Sequence, residues 1–205
     1  MTAPTAELYR WRAPVYDLEL LPFEPLRRAC IEALALQPGD SVLDLGCGTG
    51  LSLPLLQRRV GPGGRIVAVE QCPQMLARAR ARVARAGWRN VELVQAPVAE
   101  AAWAGRSDAA LFLFTHDILQ DRAALARVGR GLKPGARVAA TGLHWAPPWA
   151  WPVNLFVLGA ALHSVASLRG LDRPWAALQA CCEGAALQLR HPLPGGFFVA
   201  SGRWR

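Results

Sequence analysis

One short run of residues has the spacing of a ligand-binding turn. Val42-Leu43-Asp44-Leu45-Gly46-Cys47-Gly48-Thr49-Gly50 sets an acid ahead of three alternating glycines. Glycines remove side chains, so such a turn is tight and its backbone N–H groups come close to a ligand. The dinucleotide pattern G-x-G-x-x-G is not met. Counted from Gly46 its third glycine falls on Leu51, and counted from Gly48 it falls on Leu53. The phosphate-loop pattern fails too, because no Gly-Lys-Ser/Thr follows. A carboxylate at position 44 repels a pyrophosphate and suits a cationic ligand. A second acid, Glu70, stands 20 residues beyond Gly50, at the place where a carboxylate accepts hydrogen bonds from two ribose hydroxyls.

Histidine is the other chemistry-bearing type. His116, beside Thr115 and Asp117, and His144 each follow a strand-like apolar run. Both are candidate general bases for a hydroxyl nucleophile. Asp117 either orients His116 or caps the next segment. His163 sits in an apolar run and reads as a core histidine, and His191 falls in a loop.

The elements that must position these residues follow from periodicity. Helices are expected over Glu24–Leu36, Leu51–Val60, Pro73–Ala86 and Arg122–Leu132. Strands are expected over Ser41–Leu45, Arg65–Val69, Val91–Ala96, Asp108–Thr115 and Ala136–Thr141. The continuous apolar run Leu111-Phe112-Leu113-Phe114 suits a strand buried on both faces of a parallel sheet. Alternating strands and helices give a doubly wound α/β fold. In such a fold the glycine turn and both histidines fall at the carboxyl edge, where ligands bind. Ala186–Arg190 and Phe197–Trp204 read as two strands closing the sheet as an antiparallel hairpin.

The quoted glycine turn resembles that of the class I S-adenosylmethionine-dependent methyltransferases, and the resemblance runs from about Tyr9 to Trp204. Val69-Glu70-Gln71 is similar to that family's acidic second-strand end, and Leu132-Lys133-Pro134-Gly135-Ala136-Arg137 to its approach to the fifth strand. Tyr9, Ala13, Tyr16 and Asp17 resemble the leading segment of its small-molecule, quinone and phospholipid methyltransferases. The resemblance implies a seven-stranded sheet, mostly parallel, and S-adenosyl-L-methionine as cofactor. It implies that Asp44, Gly46, Cys47, Gly48 and Gly50 surround the methionine part and that Glu70 holds the ribose. Gln71 and Met75 would border the adenine, and Phe114 and Thr115 would line the cofactor. The loop after the third strand reads Gln95-Ala96-Pro97-Val98 where the family usually has an Asp, so Pro97 and Val98 would meet the adenine through backbone atoms. Tyr9, Trp11 and Tyr16 form either a lid over the cofactor or a packed loose end.

Composition sets the outer bounds. The chain has 205 residues, 52% hydrophobic and 19% charged, which excludes a disordered protein. It is expected to form one methyltransferase domain: a lid segment over 1–23, a cofactor-binding core over 24–142, an apolar helical acceptor region over 143–185 and the hairpin over 186–205. Five cysteines with no C-x-x-C argue against a disulfide framework or zinc site, and the N-terminus lacks a signal-peptide pattern, so a reduced, cytoplasmic protein is expected. The net charge of +8 is carried almost wholly by arginine. It admits an RNA or other nucleic-acid acceptor, but the base-methylation motifs are absent after the fourth strand. From Val138 to Leu168 there is no Asp, Glu, Lys or Arg, and Trp145, Trp149 and Trp151 cluster there. This stretch, helical over Pro152–Ser167, points to an apolar or amphipathic acceptor: a lipid, quinone or aromatic metabolite. With positive charge nearby it could also make peripheral contact with an anionic membrane; the competing reading is a homodimer interface or ordinary core. A non-catalytic cofactor-binding module is the remaining alternative.

Overall fold

The computed structural model describes residues 16–164, 168–191 and 195–205. Seven strands form one sheet: β1 Ser41–Leu45, β2 Arg65–Glu70, β3 Val91–Gln95, β4 Ser107–Leu113, β5 Leu132–Leu143, β6 Gln188–Arg190 and β7 Phe197–Arg203. Their spatial order is β3-β2-β1-β4-β5-β7-β6. The first five pair in parallel, while β7 runs antiparallel to both β5 and β6. The expected fold and its closing hairpin are both present.

The pleat sorts the core into two layers, because successive side chains in a strand point to opposite faces. Leu43, Leu45, Val67, Val69, Ala110, Phe112, Val138 and Ala140 face one layer. Val42, Ile66, Ala68, Ala109, Leu111 and Ala139 face the other. The second layer is covered by α2 (Glu24–Ala33), α3 (Leu53–Val60) and α4 (Pro73–Ala86), through Leu26, Cys30, Leu56 and Leu76. The first is covered by α5 (His116–Gln120), α6 (Arg122–Arg130) and α8 (Ala176–Cys181), through Leu119, Leu125, Val128 and Leu178. A four-residue helix, α1 (Tyr16–Glu19), and a 3₁₀ turn over Leu21–Phe23 lead into α2.

Two helix ends show how local chemistry fixes the elements. The Asp121 side chain accepts hydrogen bonds from the N–H groups of Ala123 and Ala124 and so starts α6. Gly87, in the left-handed conformation, ends α4.

Two differences from the sequence reading bear on the site. β4 ends at Leu113 rather than Thr115, and β5 is longer than expected at both ends. Phe114 takes a φ of +56°, a left-handed backbone that costs a bulky residue about 1–2 kcal/mol. Its N–H donates to the Thr141 carbonyl on β5 at 2.8 Å, which holds the bend and turns Thr115 and His116 out of the sheet.

The charge-free stretch forms α7 (Trp151–Ser164). Val157 and Ala161 are its buried side, whereas Trp151, Leu155 and Leu162 are exposed, as is Trp149 just before it. No helix among the described residues is long and apolar enough to cross a membrane.

Candidate functional site

The glycine turn joins β1 to the helical segment that carries α3. The N–H groups of Gly46 and Cys47 both donate to the Val69 carbonyl at the end of β2, at 2.8 and 3.0 Å. This draws the turn across the carboxyl edge of the sheet. Gly46 has a φ of +74°, and a Cβ there would lie 2.6 Å from Thr115 Cγ2. Only glycine allows the turn and the β4 bend to close on each other.

A cleft opens beside this turn. Gly46, Gly48, Glu70 and Gln71 form one wall, and Met75, Pro97 and Val98 form an apolar second wall. Phe114, Thr115 and His116 close it from the β4 side, with Asp117, Ile118 and Asp121 at the rim. Glu70 is fixed by its neighbours: Oε2 accepts from the Gly48 N–H at 3.0 Å and Oε1 from the Cys72 N–H at 2.8 Å. The Gln71 N–H also bonds to this carboxylate, which as a two-oxygen acceptor still has room for a further donor. Burial raises the Glu70 carboxyl above its ordinary value, and the backbone N–H groups pull against that rise.

A smaller cleft lies on the other side of the turn and shares Gly46, Gly48 and Phe114 with the first. Asp44, Arg27, Cys47, Thr49 and Leu20 line it. Asp44 is 1% exposed and accepts from the Ser52 hydroxyl. Burial raises its carboxyl to about 6; the Ser52 hydrogen bond and Arg27 act against the rise, and Glu70 adds to it. Arg27 is 4% exposed and is ion-paired with Glu24. The Cys47 thiol is held well above its ordinary value by burial and by the Asp44 and Glu70 carboxylates, so it stays protonated.

The N-terminal segment is clasped to this turn. Asp17 on α1 accepts from the Thr49 hydroxyl and, at 2.9 Å, from the Arg82 guanidinium of α4. Arg82 Nε also donates to the Thr49 carbonyl at 3.2 Å. Phe23 packs its ring 5.6 Å from that of Phe114 and 5.3 Å from that of Phe197.

The two histidines part company. His116 Nε2 lies 2.9 Å from the Arg169 carbonyl. A carbonyl only accepts, so Nε2 carries a proton, and in that neutral tautomer Nδ1 has a lone pair. Nδ1 is buried without a partner, as is the Thr115 hydroxyl beside it. The carbonyl of Arg169 therefore orients His116 in this structure. His144 does not line the cleft. It lies in an aromatic cluster with Trp175, Phe198 and His191, its Nε2 3.1 Å from both the Phe197 carbonyl and His191 Nδ1. Burial, then His191, lowers its pKa. β5 ends at Leu143, and the imidazole that follows sits in this cluster rather than among the residues lining the cleft.

Of the other expected residues, Glu70, Gln71, Met75, Pro97, Val98, Phe114 and Thr115 come together in the large cleft, and Asp44 and Cys47 in the small one. Gly50 lines neither; its φ of +78° lets the turn close on Leu53 and Ala79. Tyr9, Trp11 and the Tyr16 side chain lie outside the described residues; the Tyr16 backbone opens α1. Trp149 and Trp151 are exposed at the surface and do not wall the cleft. Among the charged residues that line the two clefts, Arg27 and Asp121 were not expected from the sequence. Arg27 carries a signal, an arginine inside the apolar stripe Leu26, Cys30 and Ile31 of α2. Asp121 carries none beyond its capping position.

These groups fit S-adenosylmethionine. The buried carboxylate of Asp44 and the buried guanidinium of Arg27 match the ammonium and carboxylate of an amino acid. Glu70 matches a ribose diol, and Met75 and Val98 give a flat base an apolar slot. The orphaned Thr115 and His116 atoms mark a polar spot that a ligand would satisfy.

Residues 42–135 match the family described as a methyltransferase domain. The chain is 30% identical over 160 residues to nocamycin O-methyltransferase of Saccharothrix syringae, covering 75% of this chain and 56% of that protein. It is 31% identical over 121 residues to an aklanonic acid methyltransferase of Streptomyces sp. strain C5, covering 58% and 55%. It thus spans about half the length of these curated relatives. Among solved structures, a complex of DhpI with SAH superposes with a TM-score of 0.68 at 20% identity, covering 98% of this chain and 95% of the other. Sequence, sheet order and cleft agree: residues 42–135 are a methyltransferase domain, and the two clefts at its glycine turn fit S-adenosylmethionine as the cofactor.

Proposed function

We propose that the protein transfers a methyl group from S-adenosylmethionine to a hydroxyl oxygen of a small, apolar acceptor. When bound, the cofactor supplies an electrophilic methyl carbon on a sulfonium. What the chain adds is position and dryness. Asp44 and Arg27 hold the amino-acid end, Glu70 the ribose, and Met75 and Val98 the base.

The observation that carries the reading is an apolar side pocket that shares Phe114 and His116 with the large cleft. These two residues stand where donor and acceptor would meet. His116, with Nε2 committed to the Arg169 carbonyl, serves as base through Nδ1. Nδ1 would take the hydroxyl proton as the acceptor oxygen forms its bond to carbon, while a cofactor held by Asp44, Arg27 and Glu70 would supply the methyl group and keep the electron pair of the S–C bond on sulfur. General-base help of this type is worth about 10²–10⁴-fold in rate. One of the curated relatives, nocamycin O-methyltransferase, is named for an oxygen acceptor, which supports the same acceptor here.

The test uses labelled S-adenosylmethionine with a cell extract partitioned into apolar metabolites, polar metabolites, protein and RNA. Label in the apolar fraction is expected, and loss of most of it in His116→Gln. Label confined to RNA or protein would overturn the assignment.

A further inference from the structure

The side pocket narrows the acceptor class further than its apolar character alone. Leu119, Leu143, Pro174, Phe198 and Phe114 supply its apolar walls, and among the described residues no titratable side chain other than His116 lines it. The polar atoms around it are almost all spoken for. The Thr141 hydroxyl donates to the Phe198 carbonyl. The Thr141 carbonyl accepts from the Phe114 N–H, and the Pro174 carbonyl accepts from Gln120 Nε2. The backbone of Thr141, Gly142 and Leu143 is paired in register with β7. Among the described side chains of this pocket one hydrogen-bonding atom is left over, Nδ1 of His116, on a residue 9% exposed.

A buried, unpaired nitrogen beside an apolar cavity is satisfied by a ligand that brings one donor and no charge. Two phenyl walls, Phe114 and Phe198, favour a planar ring. We infer that the side pocket binds a neutral aromatic ring bearing a hydroxyl, whose O–H donates to His116 Nδ1. This rests on the methyltransferase reading for its meaning, but not for its measurement. An anionic ring of equal size is excluded, because its charge would be buried with no cation to meet it.

The test is a binding titration on the full-length protein saturated with S-adenosylhomocysteine, using 1-naphthol, naphthalene and 1-naphthoate as probes. 1-Naphthol is expected to bind about tenfold more tightly than naphthalene, the worth of one buried hydrogen bond. 1-Naphthoate is expected to bind at least ~100-fold more weakly than 1-naphthol. His116→Phe keeps a ring but removes Nδ1, and should erase the preference for 1-naphthol over naphthalene. Gly142→Leu fills the pocket; a Cβ there meets only the Phe198 ring, at 3.4 Å. It should abolish binding of both neutral rings while S-adenosylhomocysteine still binds, which also shows that the variant is folded. Equal affinity for 1-naphthol and 1-naphthoate, no binding of 1-naphthol, or full 1-naphthol binding by Gly142→Leu would each overturn the inference. Failure of S-adenosylhomocysteine to bind would instead overturn the methyltransferase reading. The three probes titrated against the bare protein would then still report on the pocket, whose walls belong to the chain alone.

Discussion

Replacing Asp44 by Asn should make the protein more stable and a worse binder of its cofactor. Asp44 is buried beneath the glycine turn, and burial lifts its carboxyl from the ordinary 3.8 to about 6. At about 1.36 kcal/mol per pH unit, keeping it ionised in the folded chain at neutral pH costs on the order of 3 kcal/mol. The folded value lies above the unfolded one. Between these values the native chain holds a proton that the unfolded chain has released, so stability is highest below about pH 4 for this group and falls as pH rises through about 6. Asn keeps an oxygen for the Ser52 hydroxyl and carries no charge. The variant should therefore gain up to ~3 kcal/mol at pH 7.5, or roughly 6–12 °C in midpoint at this chain length, and should lose the wild-type slope between pH 4 and 6. Cofactor binding should move the other way. An ammonium needs the ionised carboxylate, so wild-type affinity should fall about tenfold per pH unit below about 6, whereas the weaker affinity of the variant should be flat there. Thermal unfolding and calorimetry with S-adenosylhomocysteine, both across pH 4.5–8, read the two effects. An Asp44→Asn protein no more stable than wild type and equally tight for S-adenosylhomocysteine would refute the assignment of Asp44 as a charge held for the cofactor.

Gly46→Ala would place a methyl 2.6 Å from Thr115 Cγ2 at a φ of +74°. Left-handed strain and overpacking together predict a loss of ~2–5 kcal/mol and of S-adenosylhomocysteine binding, checked by thermal shift with and without ligand. Asp17→Ala breaks the clasp to Thr49 and Arg82. Because Asp17 and Arg82 are each about one-third exposed, the stability cost should stay near 1 kcal/mol or below. S-adenosylhomocysteine affinity should nonetheless drop several-fold in calorimetry, since the same threonine sits on the small cleft.

The parallel core was legible because its signals are local and repeated. β1 runs from Ser41 to Leu45 and α4 from Pro73 to Ala86, as the apolar periodicity and the flanking proline and glycine require. The end of β4 was not legible. Leu111 to Phe114 is one apolar run, and nothing in it says that the chain turns at Phe114; that turn is set by the Thr141 carbonyl on a different strand. The same long-range cause separates the histidines. His116 and His144 each follow a strand, but the ring of His144 is claimed by Trp175, Phe198 and His191 from distant parts of the chain. The short helices α5 and α8 have too few residues to show a period. The glycine turn itself was readable because residues 44–50 are contiguous. The side pocket was not, because its walls come from three separate elements and two loops.

One consequence follows from how Glu70 is held. Its carboxylate ties the N–H of Gly48 to that of Cys72, so the group suited to a sugar diol also staples the loop that would grip the rest of the molecule. Folding itself, rather than ligand arrival, thus brings both regions into register. A guest meets a socket whose ordering entropy has been settled in advance, and shortening this acid to Asp would slacken the whole mouth of the site rather than delete a single contact.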